Sequence, residues 1–209
     1  MKQLYAGRLI LQPTAVARLR VTDPYSIHRL MLDLVQLERP KEISDKGSEP
    51  SGLQWVDRGE HLCGRVIDFL TMLSLKEEAS VLPEDVRLMY RSLPESFFDH
   101  ENYRFQIVVN PVRSVLGRPG FRRALTNEAD VREWFVRRMQ AAGADVTISM
   151  VDQLKLDSFR KNEMLLKFAR ARIFGKLHVE DRAKFEQIAR TGIGKGRAFG
   201  YGFLQLAVM

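Results

Sequence analysis

The chain has 209 residues, enough for one large domain or two small ones, and 45% of them are hydrophobic and can fill a core. No apolar run approaches the roughly 20 residues that a membrane-spanning helix needs. The first residues also lack the apolar stretch and small-residue cleavage site of a signal peptide. The single cysteine, Cys63, excludes an internal disulfide and a thiolate zinc site. We therefore expect a cytoplasmic protein that does not enter a membrane.

Charge divides the chain into two unlike halves. The whole chain carries 33 Lys and Arg against 26 Asp and Glu, a formal net charge of +7. Residues 1–96 hold 13 basic and 14 acidic residues, a net charge of −1, whereas residues 97–209 hold 20 and 12, a net charge of +8. A neutral first half and a basic second half predict a polyanionic partner that binds mainly to the second half. The alternative is an ordinary soluble protein of basic composition.

The first half begins with a strand and a capped helix. Residues 3–11 mix apolar and polar positions and predict a strand. Asp23 can accept hydrogen bonds from the free N–H groups of a helix start, and Pro24 suits the first helical position. Apolar residues then follow at helical spacing and predict one buried face: Ile27, Leu30, Met31 and Leu34.

A loop, two strands and a second helix are predicted after this point. Residues 39–52 are rich in Pro, Glu, Lys, Ser and Gly, which is typical of a surface loop. The apolar segments 53–56 and 62–73 are expected to pair as strands. Pro83, followed by Glu84 and Asp85, predicts the start of another short helix by the same capping logic.

The second half repeats this order of elements. Residues 103–109 have the β-branched and aromatic content of a strand, and a helix capped near Asn127 ends at Gly143. Further elements are predicted as strands at 145–151, 164–170 and 172–179, a helix at about 180–190 and a last strand at 203–208. Each half thus has the order β-α-β-β with a possible further α-β. This order predicts an α+β fold of two tandem ferredoxin-like (RRM-like) domains, residues 1–96 and 97–209.

Tyr25, His28 and Arg29 form the first candidate site. Residues three and four positions apart are neighbours on one helical face. Tyr25 and Arg29 point nearly opposite to the apolar stripe, and His28 lies on its flank. RNA is cleaved when its 2′-OH is deprotonated and the 5′-oxygen leaving group is protonated, and histidine suits either transfer near neutral pH. A tyrosine hydroxyl can orient or share the proton, and an arginine can offset charge on the phosphate. The alternative is an ordinary helix with an exposed histidine.

A glycine-rich stretch at 192–202 is the second candidate. Its glycines allow backbone N–H groups to approach a phosphate closely, and two basic residues add charge. It has neither the Gly-Lys-Ser/Thr of a P-loop nor the spacing of a dinucleotide fingerprint. A glycine-rich turn that permits tight packing explains it equally well. The residues concerned are Gly192, Gly194, Gly196 and Gly200, with Lys195 and Arg197.

A basic segment from Lys155 to Lys176 is the third candidate. A β-hairpin with this charge could follow RNA phosphates or enter a groove, and a solvated charged face is the alternative. The segment holds Arg160, Lys161, Lys167, Arg170 and Arg172 against only Asp157 and Glu163.

The remaining candidates are weak. His61, His100 and His178 stand apart without the spacing of a metal site, so we expect neither a metal nor another cofactor. Trp55 and Trp134 are expected in the core rather than as platforms for bases.

These segments, in this order, resemble the CasE family of CRISPR RNA endonucleases, a subunit of type I-E Cascade. Residues 23–30 (Asp-Pro-Tyr-Ser-Ile-His-Arg-Leu) match near the start, and residues 103–111 are similar to the family's Phe-x-Leu-x-x-Asn-Pro strand. The helix around Trp134 that ends in Ala142-Gly143 also matches in position. The most specific match is the segment 174–181 (Phe-Gly-Lys-Leu-His-Val-Glu-Asp), which leads to the glycine-rich residues 192–200. The resemblance covers nearly the whole chain.

The resemblance implies two ferredoxin-like domains and a defined reaction. The family recognises a repeat hairpin in CRISPR precursor RNA and cleaves at its 3′ base by 2′-OH attack, without a cofactor, which leaves a 2′,3′-cyclic phosphate and a 5′-OH. It then stays on the mature guide RNA beside the other Cascade subunits. His28 would be the general acid or base, with Tyr25 assisting. The RNA contacts expected from the charged segments and the resemblance together are Arg29, Lys155, Arg160, Lys161, Lys195 and Arg197.

Three points stay open at this stage. A phosphate-stabilising lysine is expected from residues 155–165, and the sequence does not distinguish Lys155 from Lys161. Residues 34–37 (Leu-Val-Gln-Leu) replace the family's usual Leu-Phe-Pro after the first helix. This difference leaves open where that helix ends and how the following loop runs, but it does not affect the histidine. An alternative function is a non-cleaving, RNA-hairpin-binding subunit of the same ribonucleoprotein complex.

Overall fold

A computed structural model describes residues 3–35, 52–76, 82–117 and 120–209. The chain divides into two compact units, Met1–Leu93 and Pro94–Met209. The predicted surface loop at 39–52 lies outside the described residues except for Gly52. Among the described residues, no helix is both long enough and apolar enough to cross a membrane.

The described residues of the first unit form a four-stranded antiparallel sheet and two helices. Numbered by their order along the chain, its strands lie in the order second, third, first, fourth, which is the ferredoxin-like order. The elements are β1 (Tyr5–Leu11), α1 (Pro13–Arg18), α2 (Pro24–Leu34), β2 (Leu53–His61), β3 (Gly64–Thr71) and β4 (Val86–Ser92). The predicted strand at 3–11, the capped helix and the pair of strands are therefore confirmed, whereas the sequence analysis did not identify α1.

The helix predicted at Pro83 is wrong. Glu84 and Asp85 form a turn, and the strand β4 begins at Val86 and pairs along its whole length with β1. The Asp85 carboxylate accepts a hydrogen bond from Arg18 at 2.5 Å instead of capping a helix. Pairing with β1 therefore decides the conformation of this segment, and the local Pro-Glu-Asp pattern does not.

The core of the first unit lies between the sheet and α2. Ile27 and Met31 of α2 are fully buried, and they belong to one cluster with Leu9 of β1 and Ile67 of β3. Trp55 of β2 is 2% exposed in the same cluster, which confirms that it is a core residue. Because its apolar face packs inward, α2 turns its opposite face to solvent.

In the described part of the second unit the sheet has the same strand order, and two α-helices and a small extra hairpin accompany it. Its elements are β5 (Asn102–Val109), β6 (Val112–Ser114), β7 (Arg122–Ala124), α3 (Glu128–Ala141), β8 (Ala144–Lys161), β9 (Met164–Val179), α4 (Arg182–Thr191) and β10 (Gln205–Val208). A helix at α3 with an Asn127 cap, a helix at α4 and a last strand are confirmed. Trp134 of α3 is 5% exposed, so it too is a core residue.

Strands β8 and β9 are longer than the sequence predicted. The two strands expected at 164–170 and 172–179 form one continuous strand, and the strand expected at 145–151 extends to Lys161. Residues 172–178 of β9 pair with both β5 and β8, and Ala171 pairs with β5, whereas residues 164–170 pair only with β8. We call residues 155–170, which form this two-stranded part and its turn, the distal hairpin.

Candidate functional site

The start of α2 is held by a capping box. The side chain of Asp23 accepts a hydrogen bond from the backbone N–H of Ser26 at 2.7 Å, and the Ser26 hydroxyl accepts one from the backbone N–H of Asp23 at 3.0 Å. Both bonds satisfy donors that a helix start otherwise leaves unpaired. The first turn of α2 is therefore fixed, and this turn carries Tyr25.

Tyr25 and His28 lie three residues apart on this helix, so their side chains are neighbours on one face. Both are half-buried, Arg29 is exposed, and Ile27 between them is fully buried. The Nδ1 atom of His28 is among the buried side-chain atoms. Helical spacing thus places an imidazole and a phenol on neighbouring positions at the edge of the core, and both are side-chain types that can take part in proton transfer.

The distal hairpin carries the basic residues predicted to contact RNA. Lys155 lies 3.3 Å from the Asp157 carboxylate, and Arg160 and Lys161 are exposed near the turn. Among the described residues, no carboxylate lies within ion-pair distance of Lys161. Because side chains alternate along a strand, Lys155 and Lys161 lie on one face of the hairpin and Arg160 on the other.

Two of the arginines in this basic segment are paired with acidic residues. Arg172 donates two hydrogen bonds to Asp152, at 2.6 and 2.8 Å, which lowers the pKa of that carboxyl. Arg170 lies 3.4 Å from Asp157. The charges of these two arginines are therefore balanced by carboxylates at the end of the hairpin that joins the sheet. The positive charge available to a ligand lies near the turn of the hairpin.

The glycine-rich stretch is packed against β5. The backbone N–H of Gly202 donates to the carbonyl of Val108 at 2.7 Å, and the N–H of Ile193 donates to the carbonyl of Gly202 at 2.8 Å. Gly202 has φ of +83°, and a Cβ there would lie 2.2 Å from the Ile193 oxygen. The need for glycine at this position is therefore one of packing.

The basic residues of the same stretch are exposed. Lys195 extends from the loop, and Arg197 donates a hydrogen bond to the carbonyl of Thr191 at 2.8 Å. Gly192, Gly194, Gly196 and Gly200 all have positive φ, which glycine adopts at little cost. The loop thus combines a packed backbone with two cations that face solvent.

An aromatic cluster joins this loop to the distal hairpin, and the sequence analysis missed it. Phe199 and Tyr201 contact Phe159 and Phe168 of the hairpin, with ring centroids 5.0 to 5.5 Å apart. The Tyr201 hydroxyl donates a hydrogen bond to Asp157 at 2.7 Å. Burial, together with this hydrogen bond, raises the pKa of the Tyr201 hydroxyl, so it stays protonated and donates.

The other histidines do not suggest a second catalytic or metal site. His178 contacts the Asn102 side chain at 3.0 Å and the Glu180 carboxylate at 3.6 Å, on the surface. Within the part of the chain that the structure describes, no three His, Cys, Asp or Glu side chains are grouped so that they could hold a metal ion.

Comparison with known proteins supports a single family. The family model described as CRISPR associated protein matches residues 4–207. The CRISPR-associated endoribonuclease Cse3 of Thermus thermophilus is 25% identical over 221 residues, which cover 98% of this chain and 100% of the relative.

Two solved structures share the fold. Thermus thermophilus Cse3 bound to an RNA that represents a pre-cleavage complex has a TM-score of 0.77 at 23% identity, covering 98% of this chain and 99% of that one. A chain of a CRISPR RNA-guided surveillance complex in a pre-nicking state has a TM-score of 0.73 at 19% identity, covering 98% and 100%. The match to the family model over nearly the full length means that this chain belongs to the family of CRISPR associated proteins, and the resemblance to CasE is confirmed.

Proposed function

We propose that the protein is a cytoplasmic, metal-independent endoribonuclease that cleaves the repeat hairpins of CRISPR precursor RNA. The observation that carries this proposal is the Tyr25–His28 pair on the capped start of α2, in a chain that belongs to this family. The curated relative is named an endoribonuclease, and the related Cse3 was solved with a pre-cleavage RNA. The similarity of this chain to these two relatives supports the same activity here.

The proposed reaction is an attack of the 2′-OH on the adjacent phosphate. The 2′-oxygen forms a bond to phosphorus as its proton leaves, and the bond from phosphorus to the 5′-oxygen breaks as that oxygen gains a proton. The products are a 2′,3′-cyclic phosphate and a 5′-OH, so no water is consumed. His28 supplies or accepts one of the two protons. Because Nδ1 is buried, we assign this role to Nε2.

Tyr25 and the basic residues have supporting roles in this proposal. The Tyr25 hydroxyl, on the same helical face, orients or shares the proton that His28 transfers. Arg29, next to His28 and exposed, contacts the RNA backbone. Of the two candidate lysines we favour Lys161 for contact with an RNA phosphate, since Lys155 already lies 3.3 Å from Asp157.

The distal hairpin and the glycine-rich loop hold the RNA in this proposal. Arg160, Lys161, Lys195 and Arg197 are exposed cations in the basic half of the chain, and Lys155 adds charge beside them. Such a surface binds phosphates and retains the cleaved hairpin. By analogy with the chain in the surveillance complex, we propose that the protein stays on the mature guide RNA beside other Cascade subunits.

The second candidate function is a subunit that binds the RNA hairpin without cutting it. The basic second half fits either function, but binding alone requires no imidazole and phenol side by side. The variant His28→Ala separates the two. We expect it to lose cleavage of a labelled repeat RNA while its hairpin affinity stays within a few fold of the wild type. A strong loss of affinity would contradict a role in proton transfer.

A matched control is the variant His178→Ala, which removes a surface histidine of the second unit. This protein is expected to cleave and bind as the wild type does. Tight binding by the wild type without cleavage would instead support the binding subunit.

A further inference from the structure

The distal hairpin needs support from outside the sheet. Residues 155–170 pair only with each other, and an isolated two-stranded hairpin is marginally stable in water. Arg160 and Lys161 nevertheless lie near the turn of this hairpin, where a small change in the angle between the hairpin and the sheet displaces them most. Something must therefore hold the ribbon against the rest of the unit.

Aromatic rings provide that support from the C-terminal side. Phe159 and Phe168 stack on each other with centroids 5.5 Å apart and planes only 8° apart. Tyr201 stacks on Phe168 at 5.5 Å, and Phe199 meets Phe159 edge-on at 5.0 Å. Phe159 is 6% exposed and Tyr201 is 2% exposed, so the contact excludes water. We call these four rings the aromatic clamp.

A polar contact fixes the orientation of the clamp. The Tyr201 hydroxyl donates to Asp157 at 2.7 Å, and the same carboxylate lies 3.3 Å from Lys155 and 3.4 Å from Arg170. Asp157 therefore joins the loop to both strands of the hairpin. Stacked rings alone can slide over each other, whereas a hydrogen bond to a charged acceptor sets one position.

The glycine-rich loop is shaped to make this contact. Gly196 has φ of +85°, and a Cβ there would lie 3.1 Å from both Phe168 and Tyr201. The absence of a side chain at this position lets the loop close on the rings. The loop therefore has a packing task that is separate from any contact between its cations and a phosphate.

We propose that Tyr201 and Phe199 are positioning residues, which hold the distal hairpin at a fixed angle so that Arg160 and Lys161 meet the RNA already in place. The role in RNA binding rests on the proposed function. A ribbon that swings freely must be ordered when it binds, and this ordering weakens affinity. The clamp removes that cost before the RNA arrives.

The test uses Tyr201→Phe, which keeps the stacked ring and removes only the hydroxyl. Hydrogen exchange of the free protein should become faster in residues 155–170 and stay unchanged in α3. Affinity for a labelled repeat hairpin should fall by up to about tenfold, because the RNA must then order a hairpin that the free variant holds less firmly. Tenfold is the limit set by the stability that one hydrogen bond to a charged group contributes. The dependence of affinity on salt should keep its slope, because no phosphate contact is removed.

The matched control is Tyr103→Phe. Tyr103 is also fully buried in the second unit, and its hydroxyl donates to the carbonyl of Phe97 at 2.6 Å, away from the hairpin. This variant should lose stability without faster exchange in the hairpin and without a tenfold loss of affinity. A second comparison, Lys161→Ala, should flatten the salt dependence and leave exchange unchanged.

The outcomes separate the clamp from the proposed function. The clamp would be overturned if residues 155–170 of Tyr201→Phe exchanged hydrogen at the wild-type rate. It would also be overturned if Tyr103→Phe showed the same faster exchange and the same loss of RNA affinity as Tyr201→Phe. So would a flattened salt dependence in Tyr201→Phe, which would mean that the hydroxyl supports a direct phosphate contact. A wild-type protein that does not bind the repeat hairpin would contradict the proposed function, and the exchange data on the free protein would still decide whether the clamp exists.

Discussion

Replacing Asp23 by alanine tests whether the capping box supports catalysis. The variant removes the acceptor of the Ser26 N–H, a hydrogen bond of 2.7 Å, and leaves the rest of α2 intact. Loss of an N-cap of this kind costs about 1 kcal/mol. For a chain of this size that corresponds to a fall of roughly 2–4 °C in melting temperature. The first turn, which holds Tyr25, should loosen before the rest of the helix.

Two assays measure the consequence. Thermal or urea unfolding should show the loss of stability, and single-turnover cleavage of the repeat RNA should slow several-fold while hairpin affinity is unchanged. The control is Asp23→Asn, which keeps a side-chain oxygen to accept the Ser26 N–H and should restore both properties almost fully. If Asp23→Asn is as impaired as Asp23→Ala, or if Asp23→Ala cleaves at the wild-type rate, the reasoning is refuted.

Three further predictions concern the second unit. Gly202→Ala should lower the urea midpoint of unfolding more than Gly120→Ala does. Both glycines have positive φ, which costs an alanine about 1–2 kcal/mol, but only at Gly202 would the added Cβ also collide with a backbone atom. Equal losses of stability in the two variants would contradict this. Because the fold raises the pKa of the Tyr201 hydroxyl above 10, the stability that this hydroxyl contributes is fully present below pH 10 and declines as the pH rises further. In urea titrations, the difference in unfolding free energy between wild type and Tyr201→Phe should therefore shrink from about pH 10 upward. A constant difference would contradict the hydrogen bond from Tyr201 to Asp157. Replacing Lys195 and Arg197 together by alanine should weaken hairpin binding and flatten its salt dependence; an unchanged slope would leave the loop with packing alone.

The parts of the fold that follow local rules could be predicted from the sequence. Asp23 with Pro24 at the start of α2, and Asn127 at the start of α3, use side-chain chemistry that acts within three residues. The mixed apolar and polar positions of residues 3–11 predicted β1, and the β-branched and aromatic content of residues 103–109 predicted β5. For these elements the local preference and the tertiary structure agree.

The parts that depend on distant partners could not be predicted. The segment after Pro83 has a helix-start pattern, but pairing with β1 makes it a strand. Strand β9 continues through Ala171 because Val109 of β5 pairs with that residue, so the expected break is absent. In both cases hydrogen bonds to another strand outweigh a weak local signal.

The candidate site divides in the same way. Tyr25 and His28 could be proposed from helical spacing, because their relation is local. The aromatic clamp could not, since Tyr201 and Asp157 are 44 residues apart and neither lies in a recognisable motif. The density of glycine at 192–202 was the one available signal, and it fitted a phosphate contact and a packed turn equally well.

Cleavage of the host repeat RNA in EDTA, with and without a 2′-deoxy nucleotide at the cut position, tests the central claim most directly. The wild type should cut the all-ribose RNA and leave a cyclic phosphate and a 5′-OH. It should bind the 2′-deoxy RNA without cutting it, and His28→Ala should bind both without cutting either. Cleavage of the 2′-deoxy RNA, loss of activity in EDTA, or full activity of His28→Ala would contradict metal-free attack by the 2′-OH with proton transfer through His28.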